Sequence, residues 1–167
     1  MKILDVYSMH LEYKIKGGKQ MKEKPEIINE FRGEYYFLSN FYAAPVMHDG
    51  IMYKNNEAAF QAAKIADVKG RFAFSEMDSS SAKKAGRHVK LRSDWEDVKT
   101  NIMYEIVLDK FTRNRNLREK LIATGDRKLE EGNTWGDRIW GTVNGIGENR
   151  LGKILMDVRE ICNKGSI

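Results

Sequence analysis

The 167-residue chain has one cysteine, Cys162, and three scattered histidines, His10, His48 and His88. A lone cysteine leaves no internal disulfide to form and fits a reducing compartment, so a cytoplasmic location is expected. Three separated imidazoles and one thiol do not supply the ligand spacing of a zinc site. No apolar run approaches the roughly 20 residues a membrane-spanning helix needs. The opening Met-Lys-Ile-Leu-Asp lacks the apolar region of an export signal. Nothing follows the glycine spacing of a P-loop, and no strand leads into a dinucleotide fingerprint. The expectation is a protein with no metal, cofactor or membrane partner.

What is present is a chain 41% hydrophobic and 32% charged, with a mean hydropathy of −0.58. That composition suits one globular domain with a core. The net charge of +5 and pI near 9.2 admit a phosphate-bearing ligand or nucleic acid without requiring either.

Met9 to Ile15 alternates as a strand does, and Gly17-Gly18 breaks it. Residues 16–24 read as a solvated linker, with Met21 an internal alternative start. Residues 1–24 are thus expected to be an extension on a single domain of 25–167. Glu34–Leu38 reads as a short strand, and Pro45–Tyr53 as a hairpin around Asp49-Gly50. Five helices are expected. The first runs from Asn55 or Asn56 to Lys64, and the second from Asp78–Ser81 to Ala85. The third begins at Asp94, with Glu96 and Asp97 in its first turn. The others span Asn116–Ala123 and Asn149–Asn163. Lys128–Glu131 reads as a strand. The fold class is mainly α (α+β), a compact helical domain with a small N-terminal β-hairpin or sheet.

Four constellations carry chemistry. Glu57, Phe60, Gln61 and Lys64 share one helical face at i, i+3, i+4 and i+7. A carboxylate, an amide and an amine around a ring compose a pocket wall, and equally a solvent-facing stripe. In Asn133–Gly141, Trp135 and Trp140 flank Asp137. A Trp offers a flat face to a base, and Asp137 could position a hydroxyl or activate water. Tryptophans also bury in cores, and a loop Asp also caps turns. Ser39-Asn40-Phe41 ends a strand with a polar pair, which suits a ligand or an ordinary turn. Gly145–Lys153 opens the last helix, where Asn149 near the N-terminus could face a phosphate or act as a cap. Lys83, Lys84, Arg87, Lys90 and Arg92 form a basic cluster that reads as a solvated face or a phosphate subsite. Cys162 falls on the apolar stripe of the last helix and reads as core.

These motifs occur together in one order. Phe37-Leu38-Ser39-Asn40-Phe41-Tyr42, Asp49-Gly50, Glu57 with Phe60-Gln61-Ala62 and Lys64 come first. Leu91-Arg92 with Asp94-Trp95, Lys110-Phe111, Leu121 with Ala123-Thr124, and Asp137 with Trp140-Gly141 follow. Asn149-Arg150-Leu151-Gly152, Leu155-Met156 and Arg159 close the series. The series resembles the NADAR/YbiA-like family over roughly residues 31–162. The resemblance implies a compact, mainly helical fold and N-glycosidase activity on ribosides. The implied substrate is a ribosylamino-pyrimidine phosphate of the riboflavin pathway, or ADP-ribose attached to guanine, including in DNA. It carries functional positions onto Glu57, Trp95, Asp137 and Trp140, with Lys64 and Asn40 in support. Many members have Glu-His where this chain has Glu57-Ala58. The combined reading assigns Glu57, Asp137 and Lys64 to catalysis. It assigns Asn40, Phe60, Gln61, Trp95, Trp140 and Asn149 to substrate binding. A non-catalytic ADP-ribose or NAD-binding module and a nucleic-acid-binding protein are the alternatives.

Overall fold

The computed structural model describes residues 26–165. The strand expected at Met9–Ile15 and the linker after it lie outside the described residues. Strand β1 (Ile27–Ile28) pairs in parallel with β4 (Lys128–Leu129), tying the start of the domain to its far end. Between them run the hairpin β2 (Ala43–His48) and β3 (Ile51–Asn55) and helices α1 (Asn56–Ala63), α2 (Val68–Phe72), α3 (Ser79–Gly86), α4 (Trp95–Arg113) and α5 (Arg115–Ile122). Helix α6 (Arg150–Asn163) follows β4 after a long irregular segment. The architecture is α+β.

The hairpin forms for the expected reason. Asp49 and Gly50 both have positive φ, 48° and 75°, as a two-residue turn matched to strand twist requires. Ala44, Val46, His48, Ile51, Tyr53 and Asn55 point inward in strict alternation. The last of these caps the next element: Asn55 Oδ1 accepts from the Ala58 amide at 2.8 Å. Helix α1 follows without a loop. Its alanines (Ala58, Ala59, Ala62 and Ala63) let neighbouring elements approach closely, and α3 and α4 pack against it.

Helix α4 is the spine. Trp95, Ile102, Met103, Ile106, Val107 and Phe111 are buried on it, and the hairpin, α1, α5 and α6 pack around it. Asp94, expected as its cap, makes no capping bond; its carboxylate takes two bonds from Arg92 instead. The apolar stripe of α6, with Leu151, Ile154, Leu155, Val158 and Cys162, packs on α4 as its periodicity implies.

Two assignments change. Glu34–Leu38 is not a strand but part of a 3-10 helix, Gly33–Leu38. Phe37 and Leu38 are consecutive and both buried, which a strand with one face in solvent does not achieve. Gly33, at φ 54°, sets the chain into that turn. The five-residue α2 has no counterpart in the sequence reading. It buries none of its residues, so it carries no periodicity to find.

One buried cation ties the spine to the turn before the hairpin. Lys110 is wholly buried on α4, and its Nζ donates to the Ser39 carbonyl at 2.9 Å and lies over the Tyr42 and Phe111 rings. Burial pushes this amine down to about 7. Between there and the usual lysine range the unfolded chain holds a proton the folded chain has lost. This contribution to stability therefore rises with pH above about 7. Lys110→Met should remove that rise. From pH 6.5 to pH 9, urea unfolding should show wild type gaining on the order of 2 kcal/mol relative to the variant. A constant difference would mean that Lys110 keeps its charge.

Candidate active site

A cavity of about 590 Å³ opens where α1, the turn before the hairpin and the segment after β4 converge. Glu57, Phe60, Gln61 and Lys64 all line it, so the polar face of α1 is a pocket wall and not a surface stripe. Glu57 and Gln61 are 7% and 6% exposed, which a solvent stripe would not be.

Local bonding holds each group. The Glu57 amide, one of the free donors at the helix start, gives its hydrogen to the Asn40 carbonyl at 3.1 Å. Asn40 lines the cavity and is held from two sides. Its Oδ1 accepts from Asn56 Nδ2 at 3.2 Å, and its Nδ2 contacts Met103 Sδ at 3.4 Å. Gln61 Nε2 donates to Glu57 Oε1 at 2.8 Å. Burial raises Glu57 above the usual carboxylate range and Asp137 adds to it, while Gln61, Lys83 and Lys64 oppose the shift. Burial lowers Lys64, with Glu57 opposing and Lys83 assisting; Lys64 Nζ contacts the Gly86 carbonyl at 3.4 Å.

The opposite wall comes from the segment between β4 and α6. Asn133 folds it: its Nδ2 donates to the carbonyls of Asp137 (2.7 Å) and Thr142 (3.0 Å), and its Oδ1 accepts from the Asp137 amide (3.0 Å). Asp137 Oδ1 in turn accepts from the amides of Ile139 and Trp140, at 3.0 and 2.9 Å. That leaves Oδ2 without a bond to a described residue. Trp140 meets Phe60 edge-on, with centroids 5.2 Å apart. Trp135 and Tyr36, both exposed, line the cavity with Phe31, Arg32 and Phe41.

Two expected binding residues do not line the cavity. Trp95 packs against Phe60, with centroids 5.0 Å apart, and is buried at the start of α4. Asn149 is buried too, at φ 51°. Its side chain joins two strands of backbone, donating to the Leu129 carbonyl at 2.9 Å and accepting from the Glu131 amide at 3.1 Å. It holds the wall and does not touch the cavity. The Gly145–Lys153 stretch contributes nothing to the lining, so it forms no phosphate cradle there. Ala58 is wholly buried in the core and does not line the cavity.

The cavity also gathers groups not assigned from sequence. Lys83 is the one member of the basic cluster that lines it, its Nζ 5.3 Å from the Phe41 ring centroid. Arg92 is paired with Asp94, and Lys84, Arg87 and Lys90 are exposed. Glu131, beyond β4, is a third carboxyl in the lining. Its signal was the pair Glu130-Glu131 opening the segment that carries Asp137. Three carboxyls and two lysines around a half-enclosed space can bind a sugar, steady positive charge and move protons.

Gly86 on α3 makes this packing possible. A Cβ there would lie 1.9 Å from Gln61 Oε1 and 2.9 Å from its Cβ. Gly86→Ala gains about 1 kcal/mol of helix propensity but must displace the side chain that holds Glu57. Overpacking of this kind costs about 1–3 kcal/mol. Net destabilisation in urea is expected; a stabilised variant would mean that Gln61 moves aside freely.

Comparison with known proteins meets the same segments. The model of the NADAR domain matches residues 28–162. N-glycosidase YbiA of Shigella flexneri is 40% identical over 131 residues, covering 76% of this chain and 81% of the relative. Riboflavin biosynthesis protein VVA0006 of Vibrio vulnificus is 35% identical over 142 residues, 83% of this chain but 38% of that longer protein. The NMR structure of E. coli YbiA superposes with a TM-score of 0.74 at 35% identity, covering 86% of this chain and 89% of that one. Family model, relatives and fold agree: the chain belongs to the NADAR family.

Proposed function

We propose that this protein is an N-glycosidase that hydrolyses the C–N bond between a base and a phosphorylated ribose. One observation carries the reading: Glu57 is seated in a buried, carboxylate-rich cavity with Lys64 and Lys83 beside it and aromatic rings on both walls. The names of the relatives, N-glycosidase and riboflavin biosynthesis protein, support the same chemistry. A ribosylamino-pyrimidine phosphate is the substrate class that fits best.

Breaking the bond passes through an oxocarbenium-like state at C1′, by analogy with glycoside hydrolysis. Glu57 supplies the carboxylate that steadies this cation and accepts a proton from the attacking water. Asp137 offers its free oxygen to the ribose hydroxyls. Phe60 and Trp140 form an aromatic wall, and Lys83 offers a cation for phosphate. Lys64 has two roles open to it. As a cation it neutralises phosphate. As an amine lowered by burial it attacks C1′ and forms a Schiff base after ring opening.

ADP-ribose on guanine, free or in DNA, is the second substrate class. It is favoured by the exposed Trp135 and Tyr36 in the lining, which offer stacking surface for a further base.

Glu57→Gln keeps the side-chain shape and removes the charge. Turnover should fall at least about 100-fold with the melting temperature preserved, read by mass spectrometry of products from ribosylamino-pyrimidine phosphate and from ADP-ribosylated guanosine oligonucleotide. Whichever substrate wild type cleaves names the class. Undiminished cleavage by the variant would remove Glu57 from the chemistry.

A further inference from the structure

Hydrolysis by Glu57 and Asp137 leaves one lining carboxyl without a task. Glu131 has a fixed backbone: its amide donates to Asn149 Oδ1 at 3.1 Å and its carbonyl accepts from the Thr142 amide at 2.9 Å. Its carboxyl makes no hydrogen bond to a described residue, yet it lines the cavity. Neighbouring Glu130 differs in this respect. Both its oxygens are engaged, by Thr142 Oγ1 at 2.7 Å and Lys128 Nζ at 2.6 Å, and it does not line the cavity. Of two adjacent glutamates, one is tied into the scaffold and the other is left free at the substrate space.

The charged groups around that space are unevenly disposed. Asp137 lies on the same segment as Glu131, Glu57 on α1 and Lys64 at its C-terminal cap, Lys83 on α3, and Arg32 ahead of the 3-10 helix. Burial and Asp137 raise Glu57, but a hydrogen bond from Gln61 and the charges of Lys83 and Lys64 oppose the rise. Glu131 has burial and two like charges, Asp137 and Glu57, against its ionisation and only Lys83 for it, and is pushed up to about 8. The difference lies in the Gln61 hydrogen bond and Lys64, which only Glu57 has; it makes Glu57 the better base and leaves Glu131 the better acid.

Resting on the N-glycosidase reading, we propose that Glu131 is the catalytic acid that protonates the departing base. The C1′–N bond breaks and its electron pair goes to nitrogen. The carboxyl proton of Glu131 passes to that nitrogen. Water oxygen bonds to C1′ and gives its proton to the Glu57 carboxylate, from which solvent returns it to Glu131. Riboside and water become free base and sugar. If the Lys64 amine arrives at C1′ first, the departing nitrogen needs the same proton. This acid defines a substrate class: neutral N-ribosides, whose base would otherwise leave as an anion. A ribosyl-pyridinium, whose base leaves already neutral, does not need it.

Steady-state kinetics of wild type and Glu131→Gln on two probes tests this. One is an N-ribosyl-aminopyrimidine 5′-phosphate; the other is nicotinamide ribotide, a ribosyl-pyridinium. The variant should lose at least about 100-fold in kcat on the first and only a few-fold on the second, which also certifies its fold. Wild-type kcat on the first probe should fall as pH rises through about 8, and the variant should lack that limb. If wild type cleaves only the first probe, loss of the alkaline limb decides. Equal losses on both probes, an unchanged alkaline limb, or full turnover of the aminopyrimidine riboside by the variant would each overturn the assignment while leaving the N-glycosidase reading standing. If wild type cleaves neither probe nor the ADP-ribosylated oligonucleotide, that reading fails and this one with it.

Discussion

A helix of eight residues does not hold its shape alone in water, and α1 is that long and buried throughout. Its order is borrowed from its neighbours. Asn55, the last residue of the hairpin, caps its start, and the Asn40 carbonyl takes its second free amide. Alanines on the core side let α3 and α4 close on it, and the absence of a side chain at Gly86 leaves room for Gln61. Glu57 is thereby fixed at a helix N-terminus, where the dipole favours an anion, inside a cavity whose low polarity opposes one. Burial prevails and lifts the carboxyl above its usual range, and the surrounding fold holds it there.

The same conflict runs through the whole cavity. Glu57, Glu131 and Asp137 are brought together with Lys64 and Lys83 and are not paired off into tight bridges. Elsewhere charges are paired conventionally: Arg92 with Asp94, Arg113 with Asp109, Lys128 with Glu130. Concentrating unpaired carboxyls in one buried space costs stability and gives reactivity. The cost is carried by the rigid parts around it, chiefly the Asn133 and Asn149 side chains that pin the segment after β4.

Much of this was legible in the residues. Asp49-Gly50, the cap at Asn55 and the stripes of α4 and α6 are local signals, and local physics decides them. The polar face of α1 was legible as a face, but whether it met solvent or a cavity depended on Asp137 and Trp140, some eighty residues away. What failed to show was set by tertiary packing. Tyr35, Tyr36 and Phe37 favour strand by type, but among the described residues no strand pairs with them. Trp95 was placed in the site by resemblance, yet its ring packs on Phe60 and does not line the cavity. Asn149 looked like a phosphate-facing cap and is a clamp on Glu131. Glu131 itself was hidden as half of an acidic pair whose two members do opposite things.

On the proposed reading this cavity breaks a base–ribose C–N bond with water. The most direct measurement is turnover of ribosylamino-pyrimidine phosphate in H₂¹⁸O, with mass spectrometry of both products at the earliest times. Hydrolysis at C1′ puts the heavy oxygen into the sugar and leaves the released base unlabelled. The same holds if a Schiff base at Lys64 intervenes. Label in the base, or an intact riboside after prolonged incubation with well-folded protein, would contradict it.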